Sequence, residues 1–238
     1  MMKSPIEIKT GNALLRSCTG MIITSVLIIL AFMITACAPS IYSINIRYEP
    51  SKAVPEAGDA GKRVPLTVAA FNDVRPGGDD LLVGRVVTSQ GKRVPVIPKN
   101  MKPSKAVAEI LRDHLKRSGY TVTSEIPNWN LQENTIKKEW GKVLIGGNID
   151  KLEIVCDDNI PVKKYRAEVK LSLFFANVQT EKIFYRISAT GATSLEHVRF
   201  SEEILEQQVN GALSSAIEDV LGGSAIRSKM QEVLKQTP

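Results

Sequence analysis

The side chains able to do chemistry are few. The 238-residue chain holds three cysteines and two histidines. Several CxxC pairs feeding a Cys₄ or Cys₂His₂ site cannot be built from that set, and without HExxH or a third His hydrolytic zinc has no ligands. A dense disulfide framework is likewise excluded. The sequence contains no GxSxG, P-loop or GxGxxG pattern. Cys156 shares strand phase with Leu152 and Ile154, which predicts an inward core thiol rather than a nucleophile. His114 falls beside the apolar stripe of a helical segment, where it is expected half-buried or at the solvent edge. His197, in Glu196-His-Val-Arg199, is expected in a loop before the last long helix. Asp157-Asp158-Asn159 lacks the spacing and terminal Glu of a calcium loop and reads as a solvated turn. Asp73-Val-Arg75-Pro-Gly-Gly-Asp79-Asp80 is the richest loop. Asp73 can accept backbone N–H groups with Arg75 pairing nearby, or Arg75 can take an anionic ligand or a partner carboxylate. Asp73 and Arg75 are therefore the candidate ligand- or partner-binding residues. No catalytic residues, metal ligands or cofactor are expected.

Cys37 has a different setting. Residues 1–20 carry Lys3, Lys9 and Arg16 against Glu7 alone. The 13-residue run Met21–Met33 is apolar except for Thr24 and Ser25. A basic segment, an apolar segment and then small residues form the layout of a secretory signal. The tetrad Ile34-Thr35-Ala36-Cys37 resembles the bacterial lipobox: an aliphatic residue, two small residues and Cys. The resemblance implies thioether attachment of a diacylglycerol to Cys37, cleavage after Ala36 and acylation of the new amine. One myristoyl chain gives only marginal binding, with K on the order of 10⁴ M⁻¹, whereas three chains hold a protein on a bilayer. Ala38 rather than Asp follows the Cys. By analogy with enterobacterial sorting, this points to the outer membrane, with the domain facing the periplasm. The competing reading is an uncleaved transmembrane anchor. It needs roughly 20 apolar residues; residues 21–37 fall slightly short, and the next charge is Arg47. A plain signal peptide with a coincidental Cys is the other alternative.

Removing residues 1–36 takes away three basic residues and one acid, so the formal charge of +6 becomes +4 over 202 residues. There is no Lys/Arg block of five or six, and nucleic acid is not an expected partner. Cys18 leaves with the signal and Cys37 is acylated. Cys156 is then alone, and no intramolecular disulfide can form in an oxidising compartment. Stability has to come from packing, which a chain of this length can supply by burying about 70% of its unfolded surface.

The remaining chain must position whatever contact the protein makes. Residues 44–48 alternate as a short strand, and residues 49–63, with Pro50, Pro55, Gly58 and Gly61, read as a flexible loop. Strands follow over 64–71, 81–87 and 93–98, the last two joined as a hairpin by Ser89-Gln-Gly-Lys92. A helix starts at Pro103 with Ser104 as its cap and ends before Gly119. Residues 124–141 are ambiguous, with a short helix possible over 131–139. Val143, Ile145, Gly147 and Ile149 then alternate in one phase and Leu152, Ile154 and Cys156 in the other, which requires a bulge near Asp150-Lys151. Residues 165–175 and 183–190 alternate as two further strands, with Ile183, Tyr185, Ile187 and Ala189 on one face. These three runs predict an antiparallel meander with one face wet. From Ser201 the period becomes 3.6, with a stripe from Ile204 to Leu221, and a second amphipathic helix covers about 224–234. The expected architecture is α+β: a two-layer antiparallel sheet with amphipathic helices packed on one face. The expected organisation is a signal peptide over 1–36; a lipidated Cys, short strand and flexible tether over 37–63; and a single periplasm-facing domain over 64–238.

The order of motifs resembles the YajG-type envelope lipoproteins, and more loosely the lipoproteins auxiliary to some transporters. The residues that carry it are Ile44-x-Ile46-x-Tyr48-x-Pro50, Val68-x-x-Phe71-x-Asp73-x-Arg75-Pro76, Gly84, and Lys116-Arg-Ser-Gly119-Tyr120. Two long strands and a closing amphipathic helix complete the pattern over most of residues 37–222. The segment 124–141 and the tail after Gly222 depart from it. The resemblance implies an envelope domain with no catalytic residues to carry over. The expected function is a membrane-anchored, non-enzymatic binding or accessory module. Its partners would be the bilayer, through acylated Cys37, and another envelope protein, met by strand addition at the sheet or its edge. The alternative is a lipoprotein that takes an apolar or cell-wall-derived ligand in a groove between sheet and helices, lined by Leu171, Leu173 and Phe175. The oligomeric state is left open.

Overall fold

The three longest alternating runs make the centre of the sheet. In a computed structural model, which describes residues 41–53, 56, 58–77 and 79–235, strands β6 (Val143–Asp158), β7 (Lys163–Asn177) and β8 (Lys182–His197) pair antiparallel in sequence order. The bulge required by the phase change on β6 falls at Asp150, where the register shifts between Ile149 and Lys151. A second shift was not foreseen. Phe175 pairs with Tyr185 but Ala176 pairs with Ile183, so Phe184 is an extra residue in β8. Ile183 therefore leaves the face shared by Tyr185, Ile187 and Ala189.

The other edge of β6 is taken in turn by three short strands, all parallel to it. β2 (Leu66–Val68) pairs with 143–145, β3 (Asn72–Asp73) with 148–149 and β4 (Gly84–Thr88) with 154–158. β5 (Arg93–Pro98) returns antiparallel to β4 through the expected hairpin, and β1 (Tyr42–Ile44) adds parallel to β5. The order is β1-β5-β4-β6-β7-β8. The sheet is mixed rather than wholly antiparallel. Between β5 and β6 the chain passes through helix α2 (Pro103–Arg117), which carries it past β4 so that β6 runs antiparallel to β5 and therefore parallel to β4. Gly84 marks the close approach of β4 to β6: a Cβ there would lie 2.0 Å from the carbonyl oxygen of Ile154.

Besides α2, the helices are α1 (Asp59–Arg63), α3 (Glu202–Leu221) and α4 (Ser224–Lys235). The α+β two-layer architecture follows, with α3 lying on β7 and β8. Gly191 permits this contact, since a Cβ would meet the Ala212 carbonyl oxygen at 2.0 Å. Ser201 caps α3 by accepting from the Ile204 N–H. The cap of α2 is Lys102, two residues earlier than Ser104, because Pro103 occupies the first helical position, where its missing N–H costs nothing and its φ is already helical. The main core fills the space between sheet and helices with Val107, Leu111, Ile154, Leu171, Leu205 and Leu213 among its members.

The opposite face is wet over much of its length but not at the start of β6. There Trp129 and Trp140 pack on Ala69, Leu144 and Ala176, joined by Phe174 and the displaced Ile183. Residues 124–141 thus form an irregular cover whose one regular piece is a 3₁₀ turn at Glu133–Thr135. The helix possible over 131–139 does not form. Burial of the two indoles holds the segment instead.

Candidate functional site

Between β3 and β4 the edge of β6 runs unpaired by any strand from Asp150 to Glu153, and the loop of residues 74–83 spans this gap. A cavity of about 460 Å³ opens there, lined by Asp73, Arg75, Leu82, Arg85, Lys151 and Glu153 among others. Sequence reasoning singled out Asp73 and Arg75, and the structure brings them together. The Arg75 guanidinium donates Nε–H to Asp73 Oδ1 at 2.8 Å and Nη2–H to Asp73 Oδ2 at 2.6 Å. Its Nη1 donates to the carbonyl oxygens of Leu82 at 2.7 Å and Leu152 at 3.0 Å. Four of the five guanidinium N–H groups are thereby occupied inside the protein. Arg75 ties the loop to the open stretch of β6, replacing the ladder bonds that no strand makes there. Around the rim, Arg85 pairs with Glu153, Lys102 with Asp80 and Lys151 with Glu168. Val74, Leu81, Leu82 and Met101 are exposed apolar side chains around the same loop. With its charges paired internally, the groove offers apolar surface rather than an anion receptor.

A second constellation was missed. Residues 44–48 are expected from their alternation as a short strand and 49–63 as a flexible loop; β1 instead ends at Ile44 and residues 45–51 run extended along α3. The backbone N–H groups of Asn45, Arg47, Glu49 and Ser51 donate to Glu206, Asn210, Ser214 and Glu218 at 2.9, 3.0, 2.9 and 3.0 Å. Two extended residues advance about 6.6–6.8 Å and four helical residues about 6.0 Å, so every second N–H meets every fourth side chain. The compact unit of the fold accordingly begins at Ile41. The signal for this was present: a polar stripe Glu206, Asn210, Ser214, Glu218 at spacing four, directly beside the apolar stripe Leu205, Val209, Leu213, Ile217.

The strap closes on a buried triad. Tyr48 donates its hydroxyl proton to Glu218 Oε1 at 2.8 Å, so its oxygen accepts from His114 Nδ1–H at 2.9 Å. Ser51 Oγ donates to the other carboxylate oxygen at 2.5 Å. Burial, then the bond to Glu218, holds the Tyr48 phenol well above its ordinary range. Burial pushes the His114 imidazole below its ordinary value, opposed by the Glu218 charge. A neutral His, a protonated Tyr and an accepting carboxylate form a hydrogen-bonded lock. The void beside His114 is about 10 Å³, too small for a substrate.

His114 is more deeply buried than expected, at 2% exposure. His197 is exposed and bonds the main chain of Arg199; it ends β8 rather than lying in the loop beyond it. Cys156 is a fully buried thiol, as its phase predicts, and burial pushes its pKa up to about 11, which leaves it unreactive. Asp157 and Asp158 pair with Arg166 and Lys163. Among the described residues no group of three or more His, Cys, Asp or Glu could hold a metal ion, and no helix is long and apolar enough to cross a membrane. Leu171, Leu173 and Phe175 are at most 1% exposed and line neither cavity. The interface expected to hold a ligand groove is filled by the core, because their facing helix α3 sits directly on β7 and β8. Ala36 and Cys37 lie outside the described residues.

No protein-family model and no curated protein matches the sequence. Among solved structures, protein XCC0632 of Xanthomonas campestris, of the DUF330 family, superposes with a TM-score of 0.51 at 12% identity, over 81% of this chain and 99% of that one. A proposed homologue of the neuraminyllactose-binding hemagglutinin from Helicobacter pylori gives 0.42 at 14% identity, over 79% and 97%. Lipoprotein GNA1162 from Neisseria meningitidis gives 0.36 at 9%, over 71% and 98%. The chain shares the fold of the Xanthomonas protein.

Proposed function

We propose that the protein is a membrane-anchored lipoprotein of the bacterial envelope that serves as a non-enzymatic binding or accessory module for another envelope protein. The signal ends at Ala36, Cys37 carries the acyl chains, and the domain hangs in the periplasm from the outer membrane. The observation that carries this reading is the tetrad Ile34-Thr35-Ala36-Cys37 closing an apolar run, four residues ahead of the first residue of the compact unit. The YajG-type order of motifs agrees with it. The partner contact is assigned to β8. This strand ends the sheet order, and among the described residues no strand pairs with its outer edge. Ser188, Thr190 and Ser194 are exposed along it. A sixteen-residue edge with small polar side chains suits the addition of a partner strand, where main-chain bonds supply affinity. Tethering raises the effective concentration of partners on the same membrane.

The test is Cys37→Ala. The variant is expected to lose its acyl chains and wash off membranes in carbonate while the domain keeps its far-UV circular dichroism. Retention of the variant on extracted membranes contradicts the anchor. Photo-crosslinkers placed at Ser188 and Thr190 in intact cells are expected to trap one envelope protein. Adducts that form equally from exposed positions on the helical layer contradict the assignment to β8.

A further inference from the structure

The exposed large apolar side chains fall into two groups. Val74, Leu81, Leu82 and Met101 surround the groove. Ile41, Ile160 and Val198, exposed by 50%, 83% and 68%, lie at one end of the sheet. Pairing brings them together. Ile160 is in the β6–β7 turn, whose flanks Asp158 and Lys163 pair with Thr88 and His197, and Val198 follows His197. Ile41 precedes Tyr42, whose ring packs 4.8 Å from that of Phe200. The turn at the far end of β7 is built differently, with polar Gln179, Thr180 and Glu181 at its tip.

This end is also where the chain enters the domain. From Cys37 to Ile41 the backbone reaches at most about 14 Å, and β1 and the strap fasten the residues that follow. We infer that the end formed by Ile41, Ile160 and Val198 seats on the bilayer surface, with these side chains in the headgroup region, an inference that rests on acylation of Cys37. The charges suit such a surface. Asp157, Asp158 and Glu196 are each paired with a cation, and Arg93 and Arg199 are exposed there. Glu202 and Glu203, at the start of α3, are further acids of this end, and the charge of Lys99 bears on Glu203. Apolar side chains ringed by cations and paired acids lie in the membrane interface rather than in water. The docked strap then gives the domain one orientation: the polar β7–β8 turn points away from the bilayer, and β8 runs between the two ends.

The test uses the mature protein purified from membranes and returned to vesicles of phosphatidylethanolamine and phosphatidylglycerol. Nitroxide labels are placed singly by Ile160→Cys, Val198→Cys and Thr180→Cys; Cys156 is fully buried. Labels at 160 and 198 are expected to collide more with oxygen than with a water-soluble nickel chelate, and the label at 180 the reverse. The inference is overturned if all three are equally aqueous while mass spectrometry shows acylated Cys37. Spin–spin broadening between copies at position 160 would assign the patch to self-association and overturn it as well. An unmodified Cys37 removes the anchor reading itself, and this inference with it.

Discussion

Residues 45–51 and residues 74–83 are both stretches of backbone without regular pairing, and each lies against a regular element. On α3, four side chains from four successive turns each receive one backbone N–H of the strap. Beside β6, one guanidinium binds a carboxylate and two carbonyl oxygens from three different places in the chain. The strap is held by a distributed set of bonds, whereas between its ends, fastened at Val74 and Val83, the loop has one central node and the exposed Lys102–Asp80 pair. Loss of one rung leaves three, whereas loss of the node breaks four hydrogen bonds at once.

The largest effect is therefore expected at the node. Arg75→Ala leaves the Asp73 carboxylate, at 14% side-chain exposure, and the Leu82 and Leu152 carbonyl oxygens without their donor. Removing one partner of a buried, hydrogen-bonded ion pair costs about 3–5 kcal/mol. The partial exposure of this pair lowers the expectation to about 2–3 kcal/mol, or a fall in Tm of roughly 5–10 °C for a domain of this size. Arg75→Lys is expected to recover little, since an ammonium cannot reproduce the bidentate fork. If Arg75→Ala melts like the parent protein, the loop is not hung on one residue and the contrast with the strap fails.

Legibility from sequence follows the same division. The meander β6–β7–β8, the bulge at Asp150, the hairpin through Ser89–Lys92 and the 3.6-period helix after Ser201 were readable, because each is written in the period of its own residues. The parallel pairing of β2, β3 and β4 on β6 was not, since crossover sense depends on what lies between strands. The extra residue Phe184 also escaped, because Ile183 and Tyr185 alternate by number whether or not a bulge separates them. Asp73 and Arg75 were found as a pair, but their neighbours Leu82 and Leu152 contribute only main-chain oxygens, which no side-chain pattern reveals. The strap was misread because prolines and glycines were weighed on residues 49–63 alone. Its partner, the polar stripe from Glu206 to Glu218, lies more than 150 residues away.

The strap can be sharpened at its closing triad, with a smaller effect. The folded pKa of His114 is lowered by burial, so the unfolded chain takes up a proton at higher pH than the folded one. The neutral imidazole therefore contributes stability that is complete above the ordinary value near 6.5 and is lost as pH falls below it. Tm is expected to be level above pH 7 and to decline from pH 6.5 downward, before most carboxylates titrate. His114→Asn, which keeps a donor for Tyr48, is expected to flatten the slope between pH 7 and pH 5.5. An unchanged slope in that variant assigns the titration elsewhere and detaches the triad from the strap.

The smallest effect, and the one that separates the two arrangements most directly, is expected from a single rung. Ser214→Ala removes the acceptor of the Glu49 N–H at a site with no room for a large rearrangement, since Ser214 is fully buried in α3. One neutral hydrogen bond contributes about 1 kcal/mol, and alanine is the better helix former, so the net fall in Tm is expected to be roughly 1–3 °C. Hydrogen exchange resolves what melting does not. The Glu49 amide is expected to exchange about fivefold faster, in line with that energy, while those of Arg47 and Ser51 keep their protection through Asn210 and Glu218. Neighbouring rungs are bridged by Asn210 Nδ2 donating to the Asn45 carbonyl oxygen and by the pairing of Arg47 with Glu206, so the strap on either side has its own fastening. Loss of protection along all of residues 45–51 would mean that the rungs act as one cooperative unit, and the strap would then resemble the loop at Arg75 in the only respect that distinguishes them.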